Sequence, residues 1–482
     1  MLAKNVWMVA SLLAVGMAPA CATDSSEEET GYDADPSDFD SKADGVAGTS
    51  AAVLSLIDGA HDRVLVQIPT LTDKTLLTHL KSAAARNVDV HAYLVVPHPA
   101  HPATVLAAEQ LEAAGVDITV ERTSQLPGFL AIGDTKMLVS ATKTVTGAEV
   151  TKAAAKFTAA IAENTSGSAP ALGSDQTALM LMPDDEVGPI VKLIAGATSS
   201  IDLEIYQLQS PAVLSALEAA KQRGVTVRVM LEPKTVGYKN FEAVKARLTR
   251  AGISCKETPP TFDSAHNVDH AKFMMIDNRE LVFGSGNMTR SGLGGNSATE
   301  FDNRDFWIRD RRSAVVTEGN RLFDADWNRK STSSLTFDSL VLTPDNSSDR
   351  ILALIDSAHT RVYVYNQSLN DSRVIDHLTK AKHRGVNVHV LLGNQPGFGS
   401  APPANQPAID TLATAGIKAG YFTTHYLHGK VVVADGRGFV GSQNFTAGGL
   451  GANRELGEIL DATAVVEALA KGFDADEAHP SP

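Results

Sequence analysis

The sequence holds only two cysteines in 482 residues, Cys21 and Cys255. No disulfide framework follows from so few, and Cys255 reads as a small buried hydrophobe rather than a nucleophile. Aromatic residues make up 6% of the chain, which leaves few stacking platforms for a single-strand nucleic-acid binder. Positive charge is short as well. The 42 Lys and Arg face 56 Asp and Glu, a formal net charge of -14, and this disfavours indiscriminate binding to nucleic acid or anionic membranes. The apolar stretch from Val6 to Met17 is too short to cross a bilayer as a helix.

That stretch follows Lys4 and precedes Ala18-Pro19-Ala20 and Cys21, the order of a secretory signal over residues 1–20. Cys21 stands where a lipobox cysteine would, although Ala18 replaces the usual Leu, so lipidation at Cys21 is expected, with ordinary cleavage as the alternative. Residues 21–48 are rich in Ser, Gly and acid, with nine acidic residues and one Lys between Ala22 and Gly45. They read as a disordered tether. The expectation is an exported protein, either anchored as a lipoprotein in the periplasm or outer membrane, or secreted.

Beyond the tether, 43% hydrophobic and 20% charged residues describe a folded globular chain. One pattern recurs three times: an apolar helix, a short strand, a second helix, Arg-Gly-Val or a near match, and a second strand. The Arg-x-Val steps are Arg86-Asn87-Val88, Arg223-Gly224-Val225 and Arg384-Gly385-Val386. Short β-rich runs alternating with amphipathic helices call for α/β domains, each a mostly parallel mixed sheet flanked by helices. Ser-rich breaks near 166–174 and 330–336 set the expected domains at 49–165, 175–332 and 337–478.

The second and third copies continue into a more specific block. One reads His270-Ala-Lys272-x4-Asp277, Gly284-Ser285-Gly286-Asn287 and Asn303-Arg304-Asp305; the other reads His428-Gly-Lys430-x4-Asp435, Gly441-Ser442-Gln443-Asn444 and Asn453-Arg454-Glu455. A lone His or Lys on a strand is most often a surface residue, whereas two such blocks in one order inside a duplicated domain are not chance. Alternation along a strand puts His270 with Lys272, and His428 with Lys430, on one face. Two such faces meeting across a pseudo-twofold axis would gather two imidazoles, two ammonium groups and two amides. A neutral imidazole can attack phosphorus while a protonated one donates to the leaving oxygen, and Lys and Asn can stabilise the charge a metal serves elsewhere. His266/His270 and His98/His101 have helical metal spacing but no third ligand, so neither a metal nor a cofactor is expected.

These blocks resemble the signature of the phospholipase D superfamily, which includes phosphatidylserine and cardiolipin synthase-like phosphodiesterases. The resemblance implies a metal-independent, two-step reaction through a phosphohistidine. In it His270 is usually the nucleophile and His428 the acid and base, an order that the sequence alone does not set. Lys272, Lys430 and the Asp277 and Asp435 positions complete the catalytic motifs, and Ser285, Asn287, Ser442 and Asn444 bind the substrate phosphate. Asp305 and Glu455 match the acid that accepts from the other imidazole nitrogen, with Glu300 a rival for Asp305. We read Asp277 and Asp435 as structural anchors rather than proton carriers.

In the first copy the His and Lys positions are Pro127 and Phe129, and only Asp134 survives. It is expected to keep the fold without the chemistry and to serve in packing. The substrate is expected to be phospholipid, reached beside the membrane through the lipid anchor, with hydrolysis or phosphatidyl transfer as outcomes. An exported endonuclease with the same site is the alternative, nucleic acid being the less favoured partner, and a binding protein carrying relic motifs is a third reading. Both half-sites lie in one chain, which predicts a monomer.

Overall fold

The computed structural model describes residues 51–478 except 69–72, 87, 96–110, 112–113, 115, 122–129, 135, 141–142, 149, 151–167, 236–240, 263–266, 295–301 and 395–403. The expected signal, tether and Cys21, together with His98, His101, Pro127, Phe129, His266 and Glu300, lie outside the described residues. Three mixed sheets flanked by helices follow one another along the chain.

Each sheet is built from the repeated pattern in the same way. In the middle unit Ser200–Ile205, Thr226–Leu231 and Ser254–Glu257 pair in parallel. Lys272–Ile276 then adds antiparallel to Ser200–Ile205, followed by Glu280–Gly284, Asn303–Asp310 and Thr177–Met182. The third unit repeats this with Arg361–Asn366, Asn387–Gly393 and Lys418–Phe422 in parallel, then Lys430–Ala434, Arg437–Gly441, Glu455–Leu460 and Leu340–Thr343. Within each unit, parallel pairing thus joins the strands linked by helical crossovers. The motif strands are linked by tight turns, which can only join antiparallel neighbours.

The repeated pattern has a physical cause at each step. The crossover helices start on side-chain caps: Asp73 accepts from Thr75 N–H, Ser210 from Val213 N–H and Asp371 from Arg373 N–H. The two glycines of Arg-Gly-Val, Gly224 and Gly385, have φ of 92° and 89°, which ends those helices in the left-handed region. The arginine that opens each Arg-x-Val step reaches back to helix-end carbonyls: Arg86 to Ile57, Arg223 to Ile194 and Arg384 to Ile355.

The middle and third sheets share one core. Phe273, Phe283, Phe306 and Ile308 from one pack with Tyr365, Val431, Val440 and Leu456 from the other. Helices Ser313–Trp327 and Thr463–Ala478 close it with Phe323 and Phe473. The sheets also exchange backbone. Tyr426–Leu427 pairs in parallel with Asn303–Arg304, and Asp269 forms the matching bridge with Arg454.

The motif aspartates lie at the far ends of their strands. Asp277 accepts from the N–H groups of Thr198, Ser199 and Ser200 at 2.7–3.0 Å. Asp435 accepts from those of His359, Thr360 and Arg361 at 2.8–2.9 Å. Asp134 in the first unit does the same for His61, Asp62 and Arg63. Partial burial pushes the Asp277 carboxyl up, but the bonds from Ser200, Ser199 and Thr198 hold it well below the usual carboxylate range. Each carboxylate therefore pins the start of its neighbouring strand.

Replacing Asp277 or Asp435 by Ala strands three backbone donors and is expected to cost about 1–3 kcal/mol of stability. Urea unfolding with an unchanged m-value measures it. Variants as stable as the parent would show that these carboxylates anchor nothing.

Candidate active site

The sequence pattern places His270 and His428 on strands, whereas the strands begin two residues later, at Lys272 and Lys430. The reason lies in the other unit. His270 N–H donates to the Arg454 carbonyl at 2.9 Å and His428 N–H to the Arg304 carbonyl at 3.3 Å, so each histidine is held by the opposite sheet before its own strand starts.

The side chains continue this crossing. His270 Nδ1 lies 2.9 and 2.8 Å from the two carboxylate oxygens of Glu455. His428 Nδ1 lies 3.0 and 3.2 Å from those of Asp305. Each imidazole is thus held by the acid that follows Asn-Arg in the other unit. All four side chains are fully buried. An ionised carboxylate at Nδ1 fixes the proton there and turns Nε2 toward chemistry.

Both lysines are fully buried and curl back toward their histidines. Lys272 Nζ donates to the His270 carbonyl at 2.7 Å and lies 5.0 Å from the centre of the Tyr206 ring. The same ring meets His270 edge-on, with centroids 4.9 Å apart. Lys430 Nζ donates to the His428 carbonyl at 2.7 Å and to Gln367 Oε1 at 2.9 Å, and lies 3.1 Å from His428 Nε2. Gln367 in turn donates to the Tyr426 hydroxyl at 3.1 Å.

Electrostatics separate the groups further. Burial first, then the Lys430 charge, push the His428 imidazole down to about 4 against the opposing pull of Asp305. Lys272 adds to the depression, so its charge reaches the other unit's histidine. Burial pushes the Asp305 carboxyl up, but His428, Lys430 and Ser285 together hold it below the usual range. His428 is accordingly neutral in the resting site, with Nε2 as acceptor.

The Gly-Ser-x-Asn segments take two roles. The Ser285 hydroxyl donates to Asp305 at 2.6 Å and accepts from Phe306 N–H, while Ser442 Oγ accepts from Leu456 N–H. Both serines therefore brace the strand that carries the acid. Asn287 is buried and donates to Gln207 Oε1 at 3.3 Å; its Oδ1 receives no hydrogen bond from the described residues. Asn444 is likewise buried beside its own motif. Gly286 admits the Asp305 carboxylate, since a Cβ there would stand 2.8 Å from Asp305 Cγ. A Cβ on Gly429 would stand 2.6 Å from Phe306, which explains glycine between His428 and Lys430.

Sequence reasoning assigned no role to Arg304 and Arg454, yet they clamp the two units. Arg304 bonds Asp184 and Asp476; Arg454 bonds Asp326, with Asp345 3.3 Å away. Their recurrence in both Asn-Arg-acid triplets was the available signal. Gln367 and Tyr206, one residue past matching strands, were also missed, because the two copies differ there. Cys255 is half-buried and burial pushes its thiol up to about 11, as suits a packing residue.

A family model described as cardiolipin synthase, PLD-like domain, matches residues 190–327 and 351–477, the two units that carry the paired motifs. The chain belongs to this family of phospholipase D-like proteins. Cardiolipin synthase A of Pectobacterium carotovorum subsp. carotovorum strain PC1 is 24% identical over 330 residues, 60% of this chain and 66% of that protein. Cardiolipin synthase of Oceanobacillus iheyensis is 25% identical over 317 residues, 59% and 64% of the two chains. This phospholipase D-like chain thus spans just under two thirds of those relatives' length. Among solved structures, phosphatidylserine synthase of Haemophilus influenzae Rd KW20 aligns with a TM-score of 0.49 at 12% identity, covering 67% of this chain and 90% of that one. No helix among the described residues is long and apolar enough to cross a membrane.

Removing the nearest cation should free the depressed imidazole. In Lys430→Met the His428 pKa is expected to rise from about 4 toward its ordinary value, burial still holding it below. Nitrogen-15 NMR titration of the ring reads this directly, and an unmoved pKa would mean that Lys430 does not set it.

Proposed function

We propose that this chain is a phospholipase D-type phosphodiesterase that acts on phospholipid through a covalent phosphohistidine. The crossed pairing of His270 with Glu455 and His428 with Asp305 is the observation that carries the reading. It supports two imidazoles of fixed tautomer, drawn from separate motifs, in one place beside two lysines. The two cardiolipin synthases of similar sequence support phospholipid as the substrate class.

In the first step Nε2 of one histidine attacks phosphorus, a P–N bond forms, and the bond from phosphorus to the leaving alcohol oxygen breaks. The other imidazolium gives that oxygen its proton. In the second step the now neutral imidazole takes a proton from water, whose oxygen attacks phosphorus, and the P–N bond breaks. An acceptor alcohol in place of water gives phosphatidyl transfer. Lys272, Lys430, Asn287 and Asn444 are the groups proposed to meet the non-bridging oxygens, where developing charge needs fixed donors. His270 is proposed as nucleophile and His428 as acid and base. A resting neutral His428 must then take up a proton as the anionic substrate arrives, since a phosphate charge offsets Lys430.

Asp277, Asp435, Ser285 and Ser442 are proposed as supports for this machinery rather than reacting groups, because their oxygens are engaged with backbone or with Asp305. Export behind residues 1–20 and lipidation at Cys21 would bring a monomeric enzyme beside its membrane substrate. The first unit, which keeps Asp134 alone of its motif, is proposed as a packing domain.

The test is headgroup release from mixed phospholipid vesicles with chelator present, run beside single- and double-stranded DNA. Release is expected to survive chelation and to fall at least about 100-fold in both His270→Ala and His428→Ala. An intermediate trapped by denaturant at neutral or mildly alkaline pH and carrying the phosphatidyl group on His270 would support the assignment of roles. Cleavage of DNA with untouched vesicles would replace phospholipid with nucleic acid as the substrate.

A further inference from the structure

The two halves of the site are built alike except in the network beneath each histidine. Strand register sets Glu204 and Tyr365 at matching positions, since Lys272 pairs with Ile205 and Lys430 with Asn366. Helices Ser313–Trp327 and Thr463–Ala478 likewise present Asp326 and Asp476 at matching positions. In the His428 half the Tyr365 hydroxyl donates to Asp476 Oδ2 at 2.6 Å, and Arg304 donates to Asp476 Oδ1 at 3.1 Å. In the His270 half Arg454 donates to Asp326 Oδ1, also at 3.1 Å, but the residue in the phenol's place is Glu204.

A carboxylate cannot do what a phenol does unless it carries a proton. Glu204 is fully buried, and neither of its oxygens receives a hydrogen bond from a described donor group. Its hydrogen-bonding neighbours are themselves carboxyl groups, Asp269 and Asp326. Asp269 stands where the His428 half has Leu427. Glu232, whose carboxylate accepts from Thr258 and from Asp269 N–H, and Asp345 add further negative charge. Arg454 is the cation set among them.

We propose that Glu204 is a positioning residue of the His270 half: as a neutral carboxylic acid it donates to Asp326, as Tyr365 does to Asp476, and so holds Arg454 and the Glu455–His270 pair in register. The route is short. Arg454 accepts from His270 N–H through its carbonyl, donates to the Val268 carbonyl, and is followed directly by Glu455. Burial, then the neighbouring carboxylates, raise Glu204 well above the usual range and push Asp269 up to about 8. A raised group contributes stability that is present at lower pH and lost as pH climbs through its folded value, so Glu204 should lose its proton, and the fold that stability, only well above the usual carboxylate range.

This inference rests on the proposed phosphodiesterase reading only for its activity readout. Glu204→Gln keeps a donor that cannot titrate, and Glu204→Leu removes it. The Gln variant is expected to keep kcat within about twofold of the parent, and the Leu variant to lose about 10- to 100-fold in kcat with KM little changed. As pH rises above the usual carboxylate range, the unfolding midpoint of the parent should fall more steeply than that of the Gln variant. Parallel alkaline losses in parent and Gln variant, or a Gln variant as impaired as Leu, would overturn the proposal. If the parent cleaves no phosphodiester, the functional reading fails while the midpoint comparison still decides the state of Glu204.

Discussion

Glu455 reaches His270 and Asp305 reaches His428, each across the boundary between two sheets, and most of the surrounding architecture serves that crossing. Neither motif-bearing unit owns a complete half-site, since the acid that orients its imidazole is supplied by the other. The shared aromatic and aliphatic core must therefore set the two sheets to within hydrogen-bond tolerance, a few tenths of an ångström. Backbone exchange at Tyr426–Leu427 with Asn303–Arg304, and at Asp269 with Arg454, fixes the same registration near the histidines. Gly286 and Gly429 are the places where this approach leaves no room for a side chain.

Arg304 and Arg454 are the electrostatic part of the same constraint. Each sits beside the acid that binds the opposite histidine, and each ties the strand carrying that acid to the helix that closes the core. A guanidinium with its planar fork suits this better than an ammonium, because it can hold several acceptors in fixed directions at once. Buried charge of this kind is weak evidence for stability, and its value here lies in specifying one arrangement of the two units.

Much of this was legible in the chain. The threefold recurrence of helix, strand and Arg-x-Val gave three α/β sheets, and the duplicated blocks held the paired histidines, lysines and acids, although Glu300 stood as a rival to Asp305. The direction of pairing was not legible. Nothing in His270-x-Lys272 or Asn453-Arg454-Glu455 says whether an acid serves its own copy or the other, since that depends on how two sheets pack. The surviving Asp134 in the degraded copy was the best sequence clue to the anchoring aspartates, because it persists where the histidine and lysine are gone. Strand alternation put the histidines inside strands, and tertiary hydrogen bonds from their N–H groups to the Arg454 and Arg304 carbonyls hold them just outside. The serines of Gly-Ser-x-Asn read as phosphate ligands by motif; the Ser285 hydroxyl donates to Asp305, and both serine oxygens accept from strand N–H groups.

The charge balance of the resting site bears on how a neutral His428 can serve a reaction that needs an acid. Two lysine charges, from Lys272 and Lys430, face two carboxylates, Asp305 and Glu455, inside a region closed to water, where charges interact several times more strongly than in solvent. Adding a proton to His428 would set a second buried positive charge 3.1 Å from Lys430 Nζ, with Asp305 as the offsetting charge. Burial first and this repulsion second give its depressed pKa, and the second names the remedy. In the proposed reaction a phosphodiester would bring one negative charge to the same lysines, and the proton that is costly beside Lys430 alone would become favourable. The acid would then be created by the substrate it acts on, and the asymmetry between the two halves, a titratable Glu204 beneath one histidine and a phenol beneath the other, would bear on which imidazole receives the proton first.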